Sequence, residues 1–239
     1  MTTDSHTKKT AALSMGLNYE HCSPRMRLNG CFNDTDNITA YLSHSRGYAP
    51  ESISQLKDPR KAEMLRELRK LAKRSHEQEL DEAFVHYSGH GSQRPDDSAD
   101  GKEIDGKDEV LIPADYYRSG FLRDDLLHEI LRGFRTGTRV ICLLDCCHSG
   151  TACDLKHRYT LPHGPHADIE HTTCSNASAD EDDDRDDLPL VVAISGCRDD
   201  QVSMDAYNVM GEHQHTGAMS SCLLSALESL TSRDSRPSV

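Results

Sequence analysis

Two short turns concentrate the side chains that can carry covalent chemistry: Ser88-Gly-His-Gly91 and Asp145-Cys-Cys-His-Ser-Gly150. A cysteine attacks as its thiolate, and a neighbouring imidazole supplies the compensating charge and later hands a proton to the leaving amine. His90 and Cys147 meet that need if their turns come together. Gly89 and Gly91 beside the histidine, and Gly150 after the cysteine, let backbone approach a substrate closely. The amides of Gly89 and Gly91 are candidate donors to a tetrahedral oxyanion. Either turn alone is a weak signal. Both together, each following an apolar strand, point to a cysteine peptidase.

For the turns to meet, the strands before them must be neighbours. Ala83-Phe-Val-His-Tyr87 reads as a strand that stops at the first turn, and Arg139-Val-Ile-Cys-Leu-Leu144 as one that stops at the second. In an open parallel sheet, ligands gather beyond the carboxyl ends of the strands. Thr10 to Asn18 suits a further buried strand, and Leu190-Val-Val-Ala-Ile194 a near-continuous apolar one. Asn33 or Asp34 caps a helix running to about His44. Asp58-Pro59 opens another, with Met64, Leu65, Leu68, Leu71 and Ala72 on one face. Leu126, Leu127, Ile130 and Leu131 keep helical register between Arg123 and Phe134, as do Met219, Leu223, Leu224 and Leu227 between Gly217 and Leu230. Apolar strands alternating with amphipathic helices predict an α/β fold, a mainly parallel central sheet with helices on both faces.

The 239 residues suffice for one sizeable core. A net charge of −13 offers no basic footprint for nucleic acid and is repelled by anionic membranes. The chain has neither an apolar stretch of signal-peptide length at its start nor a run long enough to span a bilayer, so a soluble, cytoplasmic protein is expected. Nine cysteines, an odd number without Cys-x-x-Cys pairs, read as reduced thiols. His157 to Asp187 is rich in His, Asp and Ser and includes Asp180-Glu-Asp-Asp-Asp184, which predicts a mobile acidic linker.

Tyr87-Ser-Gly-His-Gly91 and Asp145-Cys-Cys-His-Ser-Gly-Thr151 resemble the two active-site motifs of metacaspases. Supporting matches are Gly30-Cys-Phe-Asn-Asp34, Asp105-Gly-Lys-Asp-Glu109, Pro113-Ala-Asp115, Asp124-Asp125, Ser195-Gly-Cys-Arg-Asp-Asp-Gln201 and Gly217-Ala-Met219. His90 precedes Cys147 at close to the separation of about fifty residues typical of caspases. The resemblance implies a caspase-hemoglobinase fold. Residues 1–156 would form a large-subunit-like catalytic region, 157–189 the linker and 190–239 a small-subunit-like region that is short at its C-terminus. An exposed sheet edge would follow from that shortness.

The resemblance also implies roles. Cys147 is the nucleophile, with Cys146 as the alternative thiol, and His90 is the acid/base, which leaves His148 structural. Cys31, Asp34, Ser88 and Asp145 form an acidic pocket for Arg or Lys before the cut bond; two carboxylates and a hydroxyl can accept a guanidinium fork. Taken singly, Asp34 reads equally as a helix cap and Asp145 as a tie within its own loop. Asp105, Asp124, Asp125 and Asp154 match the positions of a calcium site, a hard cation that takes about six to eight oxygens; without the resemblance they read as a solvated face and helix-start charges. Expected partners are peptides containing Arg or Lys, and self-cleavage near Lys156 or Arg158 follows from the same specificity. The rival readings are a catalytically inactive interaction protein of the same fold and a simple acidic cation-binding module.

Overall fold

A computed structural model describes residues 7–95, 107–147, 153, 155–160, 169–173, 188–196, 205–207 and 215–234. Its centre is a five-stranded, all-parallel sheet made of β1 (Thr10–Gly16), β2 (Ile53–Lys57), β3 (Glu82–Ser88), β7 (Arg139–Asp145) and β10 (Leu190–Ser195), in the spatial order β10-β7-β3-β1-β2. The remaining strands lie outside it. β4 (Gly91–Pro95), β5 (Lys107–Leu111) and β6 (Leu122–Arg123) make a small antiparallel sheet, while β8 (His157–Thr160) pairs with β9 (Glu170–Thr173) and β11 (Asp205–Tyr207) with β12 (His215–Gly217).

Strand side chains alternate between faces, and each face of the sheet finds its own helices. On one face Ala11, Leu13 and Met15 of β1 and Val85 and Tyr87 of β3 pack with Met64, Leu68 and Leu71 of α2 (Lys61–Glu77) and Leu127 and Leu131 of α4 (Asp124–Arg132). On the other, Ala12 and Leu143 meet Ile38 and Leu42 of α1 (Cys31–His44), with Met219, Leu223 and Leu224 of α5 (Ala218–Asp234) against them. A short α3 (Tyr116–Ser119) lies between β5 and β6. No described helix is long and apolar enough to cross a membrane.

Register aligns the carboxyl ends of the central strands. Gly16 of β1 pairs with Ser88 of β3, and Ser88 with Asp145 of β7, so the two reactive turns leave the sheet side by side. Gly16 is glycine for lack of space: a Cβ there would run into the Cys31 carbonyl and Thr35 Oγ1 of α1.

Several local expectations are corrected by long-range partners. α1 starts at Cys31 after Gly30, with no side-chain cap; the Cys31 amide instead donates to Asn18 Oδ1 at 3.1 Å. Asn33 and Asp34 therefore sit inside the first turn rather than capping it. α2 starts at Lys61, where Glu63 accepts the Arg60 amide at 2.9 Å. Asp58, expected as its cap, adopts a left-handed φ of 49° and accepts the amides of Tyr19 at 2.7 Å and Glu20 at 2.9 Å, tying the loop after β2 to the loop after β1.

β10 is an edge strand and only half covered. Val191 and Ala193 face the core, whereas Leu190, Val192 and Ile194 are 58%, 41% and 38% exposed. The span expected to be a mobile acidic linker contains the exposed β8–β9 pair; its acidic run Asp180 to Asp184 lies outside the described residues.

Candidate active site

The first pocket candidates come from three elements. Ser88, the last residue of β3, donates its Oγ proton to Asp34 Oδ2 of α1 at 2.7 Å, and both residues are buried. Asp145, beside Ser88 in the β3–β7 register, is buried too, and its Oδ2 accepts the Ser220 amide of α5 at 2.9 Å. Cys31 opens α1, one helical turn before Asp34, and is also buried. The pocket set thus gathers at one end of the sheet. Asp34 is turned toward Ser88.

His90 is held by groups that sequence reasoning missed. Its amide donates to Tyr19 Oη at 2.9 Å, and its carbonyl accepts the Tyr87 hydroxyl at 2.8 Å. Tyr19 in turn donates to the Ile112 carbonyl at 2.7 Å. Burial pushes both phenols well above their ordinary pKa, so each keeps the proton with which it donates. The His90 ring stacks on Tyr19 with centroids 4.9 Å apart. Its Nε2 lies 2.9 Å from the Met26 carbonyl. A carbonyl only accepts, so Nε2 carries the hydrogen and the neutral ring keeps its lone pair on Nδ1. The signal in the sequence was the polar tip on two aromatic residues, Tyr87 near the end of β3 and Tyr19 three residues after β1.

The two adjacent thiols differ in environment. Cys146 is fully buried in the core cluster, and Cys147 is half-buried at the end of β7. A Cβ on Gly91 would collide with the Cys147 carbonyl, so the backbone next to His90 lies directly against the backbone of Cys147. Gly89 behaves otherwise than expected. Its amide donates to the Asp145 carbonyl at 3.3 Å, extending the β3–β7 ladder, and a Cβ there would press on the hydroxyls of Tyr87 and Tyr19. Of the two glycines, Gly91 remains the oxyanion candidate. His148 and Gly150 lie outside the described residues.

Of the four acidic residues assigned to calcium, Asp124 and Asp125 come together, and Asp105 and Asp154 lie outside the described residues. Their neighbour is Asp108, which the sequence reading did not single out; one carboxylate oxygen from each of the three lies within 4.8 Å of the others. Its signal was a buried carboxylate pair, Asp108-Glu109, opening the apolar run Val110-Leu-Ile112. Asp124 accepts the Glu109 amide at 2.6 Å and the Asp125 amide at 2.9 Å, and Asp108 pairs with Arg123 at 3.0 Å. Three clustered hard oxygen donors, two of them on buried residues, suit a divalent cation such as calcium. His128 of α4 donates from Nδ1 to the Cys153 carbonyl at 3.0 Å, which brings the residue before Asp154 against the same helix.

Comparison with known proteins gives one answer. Residues 9–156 match the model of the metacaspase peptidase C14 domain. Metacaspase-1A of Aspergillus fumigatus is 42% identical over 163 residues, which is 64% of this chain and 38% of that relative. Metacaspase-1 of Emericella nidulans is 40% identical over the same length, 39% of its own. The match thus spans well under half the length of these relatives. The crystal structure of protein GSU0716 from Geobacter sulfurreducens superposes with a TM-score of 0.60 at 29% identity, covering 92% of this chain and 82% of that one. The central parallel sheet flanked by helices is the caspase-like architecture, and the chain belongs to the metacaspase family.

Proposed function

We propose that this chain is a calcium-activated cysteine endopeptidase that cleaves after Arg or Lys. The observation that carries the reading is the close approach of Gly91 to the Cys147 carbonyl, next to a histidine whose tautomer is set by Met26. In the first step the Cys147 thiol loses its proton to His90, and Sγ attacks the scissile carbonyl carbon. The oxyanion draws on the Gly91 amide. Collapse breaks the C–N bond, the protonated His90 delivers its proton to the leaving amine, and an acyl-enzyme remains. His90 then takes a proton from water, whose oxygen attacks the thioester carbonyl carbon; the C–S bond breaks, the acid leaves, and His90 returns the proton to Sγ.

Specificity rests on Asp34 and Asp145, with Ser88 and Cys31 beside them. Buried carboxylates gain most from a desolvated guanidinium or ammonium partner. Asp108, Asp124 and Asp125, with Asp154 as the fourth candidate, would hold calcium. When bound, the ion supplies a fixed positive charge coordinated by oxygens. No disulfide joins the described cysteines, which suits a reducing, cytoplasmic setting. Lys156 and the exposed β8 region are the candidate self-cleavage segment, and mass spectrometry of active protein incubated with calcium would reveal new termini there or an intact chain.

The test is hydrolysis of fluorogenic peptides ending in Arg, Lys or Asp, with calcium and with chelator. Hydrolysis of the Arg and Lys peptides only, stimulated by calcium, is expected. Preference for Asp would refute the pocket, and equal rates in chelator would refute the metal assignment.

A further inference from the structure

The small sheet that follows His90 carries a second cleft. Opposite residues of an antiparallel pair share a face. Arg94 is opposite Asp108 and Arg123 opposite Val110, so these four residues share one face of the β4-β5-β6 sheet. Lys61, at the start of α2, and Gly120 and Phe121, just before β6, complete a cavity of about 330 Å³ together with Arg94, Val110 and Arg123.

Three cations converge here in a chain of net charge −13. Lys61 Nζ reaches the Ser119 carbonyl at 3.3 Å, and the Arg94 guanidinium lies 5.0 Å from the centre of the Phe121 ring. Neither is paired with a carboxylate among the described residues. Arg123 is paired with Asp108. Asp115 is also close, but its oxygens accept the Lys61 amide at 2.8 Å and the Ser119 hydroxyl at 2.6 Å. Asp124 and Asp125 cluster with Asp108, and Asp124 accepts two backbone amides.

The residues that line the cleft itself supply two guanidiniums and an ammonium and no carboxylate, a donor set for the oxygens of an anion. Paired Arg forks with a Lys point charge are a phosphate-recognising set. Arg94 and Tyr116 both lie against Phe121, Tyr116 with centroids 6.2 Å apart and ring planes 18° from parallel. We propose that the cleft of Lys61, Arg94 and Arg123 binds a phosphate group, either free or carried on a phosphorylated side chain. The site is distinct from the residues assigned to peptide cleavage.

The test uses the full chain carrying Cys147→Ala, so that peptides stay intact and the outcome is independent of catalysis. Calorimetric titrations in millimolar calcium employ a phosphoserine peptide, its unphosphorylated twin, and inorganic sulfate as a soluble stand-in for free phosphate. The phosphopeptide is expected to bind and its twin not. Lys61→Ala and Arg94→Ala should each weaken binding about tenfold, and Lys70→Ala, on the exposed side of α2, should leave it unchanged. Arg123 is left intact because its loss would also disturb Asp108. Sulfate binding as tightly as the phosphopeptide assigns the site to the free ion, and binding of the phosphopeptide alone assigns it to a modified side chain. Equal binding of both peptides overturns the proposal. So does affinity that is unchanged in both Lys61→Ala and Arg94→Ala chains that melt like the parent.

Discussion

The centre of the sheet and its β10 edge are built from similar apolar strands, yet they do opposite things. β3 and β7 are covered on both faces, and their register turns two reactive loops toward each other. β10 has the same kind of sequence and the same parallel pairing, but one of its faces is exposed. Local composition chooses the strand; what covers the strand decides whether its end can be held to the precision that chemistry needs. The centre should therefore be intolerant of change and the edge permissive.

Gly16→Ala should produce the largest effect. The new Cβ meets a backbone carbonyl, which cannot swing aside, so α1 must move off the sheet. A loss of about 4 kcal/mol is expected in denaturant unfolding. A loss under about 1 kcal/mol would mean that the two elements are less tightly joined than described.

His86 sharpens the contrast through pH. It lies wholly buried in β3, with Nδ1 2.8 Å from Ser14 Oγ, Nε2 unpartnered, and a pKa lowered by burial to about 3. The unfolded chain takes up this proton near pH 6.5 and the folded chain only near 3, so His86 costs nothing above the upper value and destabilises as pH falls between them. Roughly 3 kcal/mol should be lost from pH 6.5 to 4. His86→Gln should flatten that slope in unfolding curves recorded across the range, and an unchanged slope would assign the acid sensitivity to other groups.

Tyr19→Phe tests the clamp on His90. It strips a hydrogen-bond partner from the His90 amide and from the Ile112 carbonyl, at a cost of about 2 kcal/mol in stability. Peptide turnover should fall further than stability alone explains, with kcat affected more than KM. Ile194→Thr on the exposed face of β10 should have the smallest effect, within about 0.5 kcal/mol. A cost comparable to that of Gly16→Ala would show that the edge is covered after all.

Much of this arrangement was legible in the sequence. The apolar runs stopping at Ser88 and at Asp145, and the helical spacing of Met64, Leu68 and Leu71, are local signals that survived folding unchanged. What was not legible depends on partners far along the chain. Asp34 and Asp58 each looked like a helix cap, because a cap and a long-range acceptor use the same short carboxylate; Ser88 and the Tyr19 loop claimed them instead. Asp108 joins Asp124 and Asp125 through the pairing of β5 with β6, and only strand order identifies β10 as an edge. The Tyr19 and Tyr87 hydroxyls hold the amide and the carbonyl of His90, an arrangement that depends on the pairing of β1 with β3.

The central claim is that one of two adjacent thiols reacts while its neighbour packs. Hydrolysis of an Arg-containing fluorogenic peptide in millimolar calcium should vanish in Cys147→Ala, whereas Cys146→Ala should keep most of its activity and lose only the stability of a buried side chain. Turnover persisting in Cys147→Ala would contradict the account.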